Sequence, residues 1–414
     1  MAAIDADLAL GTKGTGAAII HRLAVPAPKA FRFRLSIGIA AVSIMLGTAR
    51  AQTLPERPML SLRQLDYLDW QKDAQRVAVS TRALYLQLPW ERDPSTPSWV
   101  GDWSLDVTRT VDAISGASPL YHTQALRKFS DRRNAFDMKL TRFDDRSRIT
   151  LGTAKSMESD FDSKAYSLLA AYDFNERNSS LTGGVSKTSD DIASSRTERS
   201  KRETTDLLLG FTQVMSRVDL IQAFVTVANA EGYLSDPYKL IDQRPSERTA
   251  KTALIRWNHF NVSNNGSFRY SYRYYTDSYG IRSHTLQSEY AQPLFGVFEQ
   301  FTITPSLRLY TQSAADFYYG PRNAPQPTIP PGLGPQTIIS LDQRLSAFGA
   351  RTLGLQLTWF GGPRSRPDYR VDLKWEDYEQ RGVWSYGFSP SMQALPHLIP
   401  FRARWLQLGL TTWY

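Results

Sequence analysis

The sequence contains no cysteine, which excludes a disulfide framework, a thiolate metal site and a cysteine nucleophile. It also lacks any apolar run of the roughly 20 residues that a membrane-spanning helix needs, and its mean hydropathy is only −0.38. Neither absence excludes a membrane. The strands of a barrel face lipid on one side and water on the other, so polar and apolar residues nearly cancel in an average. No large excess of one charge is present either. The formal net charge is +9, but residues 1–51 carry six Lys/Arg against two Asp, which leaves about +5 for the rest of the chain. Spread over both signs, that excess makes no basic face and excludes a nucleic-acid partner. Gly-x-Ser-x-Gly, His-Glu-x-x-His and phosphate-loop motifs are missing, so no cofactor or metal is expected from motif chemistry. What is abundant is aromatic: 20 Tyr, 19 Phe and 10 Trp in 414 residues.

The first 51 residues end in the three parts of a secretory signal. Lys29, Arg32 and Arg34 form a basic region, Leu35 to Leu46 a short apolar one, and Ala49-Arg50-Ala51 a small-x-small cleavage site. The expected organisation is a signal peptide over 1–51, cleaved before Gln52, and one domain over 52–414. The 28 residues before the basic region are long for a signal, which points to a miscalled start codon or an extended leader. With no later apolar helix, the destination of an exported chain is the periplasm or the outer membrane.

Beyond residue 52 the period is two, as strands require. Tyr369, Val371, Leu373 and Trp375 alternate with Arg370, Asp372, Lys374 and Glu376. Phe268, Tyr270, Tyr272 and Tyr274 alternate with Arg269, Ser271 and Arg273. Phe301, Ile303, Pro305, Leu307 and Leu309 form a third set, flawed by a proline that cannot donate to a ladder. Counting such segments predicts an all-β fold: a transmembrane antiparallel up-and-down β-barrel of about sixteen strands, with fourteen as the nearest alternative. Counted back from the C-terminus, every spacer longer than about thirteen residues falls on the same side, as in bacterial barrels with short periplasmic turns and long outer loops. The last strand ends on an aromatic, with Leu406, Leu408, Leu410 and Tyr414 at alternate positions. That pattern is similar to the signal read by the outer-membrane barrel assembly machinery, which with outer-membrane lipid is an expected partner. The polar run 188–204 is expected to be a mobile water-facing loop. The proline-rich run 320–337 is expected to be stiff, folding inward as a constriction or standing out as a cap.

Four segments carry a family resemblance: Asp112 to Ser118, Gly232 to Lys239, Ser271 to Gly280 and Asp342 to Gly349. They are similar to segments of an uncharacterised Gram-negative outer-membrane β-barrel family, a domain of unknown function. The resemblance covers nearly all of the chain after the signal and implies location and fold, but no site residue.

If the apolar registers face lipid, then Arg256, Arg269, Arg273, Arg308, Arg370 and Lys374 point into the lumen with Asp106, Asp372 and Glu376. Mixed charge of this kind suits a porin interior, and the arginine excess suggests mild anion preference. It equally suits a narrow barrel filled by paired side chains. Two further sites of chemistry are weighed. His259 and His284 fall in strands and His122 and His397 in loops, which leaves a barrel hydrolase as a remote alternative, with no catalytic residue assigned. Asp112, Ser115 and Ser118 are read as a capping turn with Gly116 at positive φ, or as a partial Ca²⁺ set with too few oxygens on its own. Two functional classes follow: a porin-like channel or transporter for small polar solutes, or a plugged, structural barrel serving an envelope protein partner. Neither is an enzyme.

Overall fold

The computed structural model describes residues 54–71, 74–97, 100–117, 128–193, 199–237, 241–319, 337–385 and 398–414. The signal region, His122, His397, Ser118 and the prolines of 320–336 lie outside the described residues.

Sixteen strands form a closed ring in which each pairs antiparallel with its neighbours. In chain order they are β1 (Met59–Gln71), β2 (Ala74–Trp90), β3 (Asp102–Ala117), β4 (Lys128–Phe143), β5 (Ser147–Met157), β6 (Phe161–Phe174), β7 (Ser179–Ile192), β8 (Ser200–Val214) and β9 (Asp219–Gly232). They continue with β11 (Glu247–Asn261), β12 (Gly266–Asp277), β13 (Arg282–Pro293), β14 (Phe301–Gln312), β16 (Phe348–Gly361), β17 (Tyr369–Arg381) and β18 (Phe401–Trp413). Two short strands, β10 (Asp242–Gln243) and β15 (Ile339–Ser340), pair with each other outside the ring. The ring is sealed by β1 against β18, from Met59 opposite Trp413 to Gln71 opposite Phe401. No helix among the described residues is long and apolar enough to cross a membrane.

An even strand number puts both chain ends at one end of the barrel. The connections there are short; those between β9 and β11, between β14 and β16 and between β17 and β18 are long, and all three lie at the opposite, loop end. Alternation sorts the side chains. Leu62, Leu84, Leu151, Leu207, Ile255, Leu286, Leu353, Leu373 and Leu408 are all exposed and share one face through the ladder, whereas Ser61, Thr81, Ser104, Asp206, Gln222 and Thr352 on the other face are buried. A barrel in lipid needs this inversion, with its apolar band outside. The band is broken on β1–β3, where Gln64, Asp66, Arg82 and Arg109 stand exposed. Near the chain-end rim the outward positions are aromatic pairs: Trp90–Trp103, Phe174–Phe211, Trp257–Tyr270, Phe268–Tyr290 and Phe301–Trp359. Amphipathic rings favour the boundary between lipid and water. Leu406, Leu408, Leu410 and Tyr414 are all exposed, on the outward face of the closing strand.

Three local readings change. The run 188–204 is mostly ladder: β7 and β8 extend to Ile192 and from Ser200, and inward Asp190, 4% exposed, pairs with Arg202 at 2.5 Å. A hairpin above the band has water on its outer side, so polar composition does not stop it from pairing. Asp112 likewise does not open a loop. It lies inside β3 opposite Arg133 and forms a buried ion pair with it, while Gly116 sits in the ladder between Val77 and Phe129. Finally, residues 343–345 form a 3-10 turn rather than the start of a strand. Pro305 does stand in a strand: its ladder to β16 is unbroken, but that to β13 omits the two pairs around it, as a missing N–H requires.

An arginine placed in the outward band should be costly. Leu408→Arg is expected to lose about 2–4 kcal/mol of folding free energy in lipid vesicles, measured by denaturant titration, while inward Gln407→Ala changes it by less than about 1 kcal/mol.

Candidate functional site: the barrel interior and its strapped mouth

The register places Arg256, Arg269, Arg273, Arg308, Arg370, Lys374, Asp106, Asp372 and Glu376 on the inner face, opposite or two positions from Gln222, Thr285, Gln287, Thr352, Thr358 and Trp405. Their contacts fall into two kinds. On β17 the charges are held in the wall. Asp372 accepts from Thr358 Oγ1 at 2.8 Å, Gln356 Nε2 at 3.0 Å and Arg370 Nε at 2.9 Å, with Arg63 at 3.5 Å. Glu376 takes Trp405 Nε1 at 2.6 Å and Lys374 at 2.9 Å. On β11, β12 and β14 the arginines meet mostly neutral partners: Arg256 and Gln222 at 3.4 Å, Arg273 and Thr285 at 3.4 Å, Arg308 and Gln287 at 3.2 Å. Only Arg269 has a carboxylate in these contacts, Glu289 at 3.7 Å. Asp106 stands eight strands round the ring from Arg269 and accepts from Tyr85 at 2.5 Å and Gln87 at 2.8 Å. A basic wall therefore faces an acid: Asp106 on β3 lies across the ring from the arginines of β11, β12 and β14.

The loop end of the interior is closed down differently. Inward Leu65, Tyr67, Phe348, Tyr378, Phe401 and Trp405 form an apolar cluster with Leu398. The residues flanking 320–336 fold against this mouth: Gln343 accepts from Gln71 at the end of β1 at 3.4 Å, and Gln312 of β14 donates to the carbonyls of Arg344 and Ser346.

That segment is strapped to the β9–β11 loop by a buried ionic cluster. Arg244 contacts Asp242 and Asp342, each at 2.9 Å; Arg344 contacts Asp236 at 2.8 Å and also Asp342. The strands β10 and β15 add a two-residue ladder, Asp242 opposite Ser340 and Gln243 opposite Ile339. Beneath it, Tyr279 of the β12–β13 turn packs edge-on against Phe317 at 4.9 Å, and Arg248 binds Asp277 and Tyr275 while stacking on Tyr279. Burial pushes the Asp242 carboxyl above the ordinary range despite Arg244. Burial also opposes the Arg344 charge, but Asp342 and Asp236 outweigh it and hold its pKa above the usual arginine value. Sequence reasoning missed this strap, although its signal is simple: Asp-Gln-Arg occurs at 242–244 and again at 342–344. Segments 271–280 and 342–349, singled out by resemblance, meet here with residues 232–237 of a third.

The two histidines among the described residues do not share a site. His259 sits near the chain-end rim with Asp219 at 2.9 Å, whereas His284 lies near the loop end with Tyr272 at 2.7 Å. Three carboxylates, Asp131, Glu158 and Asp160, cluster at the β5–β6 turn; Asp112 is not among them.

The sequence matches the family described as "Protein of unknown function (DUF3570)" over residues 104–200 and 193–396. The chain belongs to this family. Its two matched stretches run from within β3 to the connection before β18, so they include the strap and most of the inner wall. No curated protein matches the sequence. Solved structures of similar shape include a bacterial polysaccharide outer membrane secretin, at 8% identity and TM-score 0.47, covering 86% of this chain and 98% of that one. Others are Pseudomonas aeruginosa OccK2 (OpdF) in complex with glucuronate, at 10% and 0.43 over 87% and 100%, and Acinetobacter baumannii OccAB1, at 9% and 0.44 over 89% and 99%.

Removing one partner from a buried ionic cluster strands the others. Arg344→Ala should loosen the strap by about 3–5 kcal/mol, seen as faster amide exchange in 241–246 and 337–347 with unchanged exchange in the ring. Because the neutral form of Asp242 is favoured when folded, its contribution is full at pH below the ordinary carboxylate range and fades as pH rises through its raised value. Asp242→Asn should therefore flatten the pH dependence of the same exchange rates, checked by following them in parent and variant from acid to neutral pH.

Proposed function

We propose that the protein is a porin-like channel of the bacterial outer membrane that passes small polar solutes with mild preference for anions. The observation that carries this reading is the inner wall: a ring of sixteen strands is wide enough to leave an aqueous lumen, and it is lined with polar side chains, including Arg256, Arg269, Arg273 and Arg308 on β11, β12 and β14. A fixed positive wall raises the local anion concentration. The outward apolar band, the aromatic rim and the pairing of short turns with the chain ends support an outer-membrane setting with chain ends on the periplasmic side. Export through a cleaved signal over 1–51 and insertion by the barrel assembly machinery, guided by Leu406, Leu408, Leu410 and Tyr414, belong to the same reading.

A second reading, a plugged barrel serving an envelope partner, is favoured by one observation: the strapped loops lie against the inner face at the mouth, where Gln343 reaches Gln71.

Planar-bilayer recording of the refolded protein, residues 52–414, separates the two. Stable conductance steps with a reversal potential favouring anions are expected, and the triple change Arg256→Gln, Arg273→Gln, Arg308→Gln should move that potential toward cations. A folded but silent barrel would favour the plugged reading, and cation selectivity in the parent would remove the role given to the arginines.

A further inference from the structure

On the outside of the barrel, at the loop-side edge of the apolar band, three guanidinium groups converge on one carboxylate. Arg351 of β16, Glu379 of β17 and Arg402 of β18 stand directly opposite one another in the ladder, and Arg381 lies two positions beyond Glu379. Glu379 receives Arg351 at 2.9 Å, Arg381 at 2.5 Å and Arg402 at 3.5 Å. Its side chain is only 5% exposed, while those of Arg351, Arg381 and Arg402 are 49%, 38% and 60% exposed. The nearest other carboxylate on this face of β17, Asp377, is taken by Arg404 at 2.7 Å. One buried negative charge thus organises three positive ones, and the surplus of two faces outward.

Beside the arginines lies a groove of about 460 Å³. Its floor on the band side is Tyr272, Leu286 and Leu309, and its loop side is His284, Arg351 and Trp384. Trp384 comes from the turn that follows β17, and it stacks on Arg351 at 5.5 Å and on Arg381 at 5.0 Å. The turn can lie this close only because residue 349 is glycine: a Cβ there would meet the Trp384 carbonyl oxygen at 2.1 Å. The groove is therefore apolar where it enters the band and cationic where it leaves it.

Resting on the reading of the barrel as membrane-embedded, we infer that this groove binds a phosphorylated lipid of the surrounding leaflet, with its phosphate on Arg351 and Arg402 and an acyl chain along Tyr272, Leu286 and Leu309. Guanidinium groups suit phosphate because their paired N–H donors match two of its oxygens. Basic pockets at the membrane boundary hold anionic headgroups by this chemistry. A free phosphate has no use for the apolar half of the groove, which selects the lipid as the source.

The test is native mass spectrometry of the folded full-length protein in detergent, titrated with bisphosphorylated lipid A, with its dephosphorylated form, and with inorganic phosphate as competitor. Lipid A should bind at least about tenfold more tightly than the dephosphorylated lipid, and Arg351→Gln with Arg402→Gln should weaken it about thirtyfold, two basic contacts being lost. Arg404→Gln, outside the groove, should match the parent. Trp384→Ala removes only a loop ring and serves if the double variant does not fold; it should weaken lipid A by about tenfold. Equal binding of the two lipids, parent-like binding by the groove variants, or displacement of lipid A by equimolar inorganic phosphate would each overturn the inference. Conductance of the same samples keeps the two readings apart: a silent barrel that still selects lipid A contradicts the channel alone, and a conducting barrel that does not select it contradicts the groove alone.

Discussion

A backbone amide in hydrocarbon has no water to turn to, so every N–H and C=O crossing the membrane must find a partner in the chain itself. In this protein that constraint is met by joining the first strand to the last. Thirteen pairs between β1 and β18 remove the two edges that an open sheet would present. Once the ring is closed, strand alternation fixes which side chains meet lipid and which meet the interior, and a slip of one residue would exchange the two sets. The outward leucines, the aromatic rim and the inward charges are consequences of that one closure.

Inside the ring, charge is handled in two ways. Asp372 and Glu376 are saturated by short contacts within the wall and act as fixed parts of it. The arginines of β11, β12 and β14 make longer contacts, among them Arg256 to Gln222, Arg273 to Thr285 and Arg308 to Gln287. At the mouth the same residue types serve a mechanical purpose. Arg244 and Arg344, each bound to two aspartates, tie two loops that are separated by four strands of the ring. A charged inner wall and an opening restrained by ionic ties are compatible, since they occupy different heights.

How much of this was legible in the sequence follows from where one rule applies. Within the band, apolar and polar residues must alternate, so strands such as those around 369–376 and 268–274 could be read together with their facing, and the strand number followed. Above the band both faces tolerate polar residues, the alternation vanishes, and the hairpins of β3–β4 and β7–β8 run on unseen as though they were loops. Asp112 was misplaced for that reason: a lone polar turn motif in sequence became an ion pair only once Arg133 stood opposite it. The strap was invisible to any periodicity because its partners are about a hundred residues apart, although the repeated Asp-Gln-Arg was there to be noticed. The groove at Arg351 depends on Tyr272, Leu309 and Trp384 arriving from three different elements, which no local pattern encodes.

The seam between β1 and β18 also sets an order of events. Met59 pairs with Trp413 and Gln71 with Phe401, so the first strand to leave the ribosome waits for the last before its outer edge is covered. Hairpins from β2 onward can form as they appear, because their partners are neighbours in sequence; the seal alone spans most of the chain. Such long-range pairing is slow, and an unsealed edge invites pairing with the wrong chain. The step that makes the barrel a barrel is thus the one most exposed to mispairing.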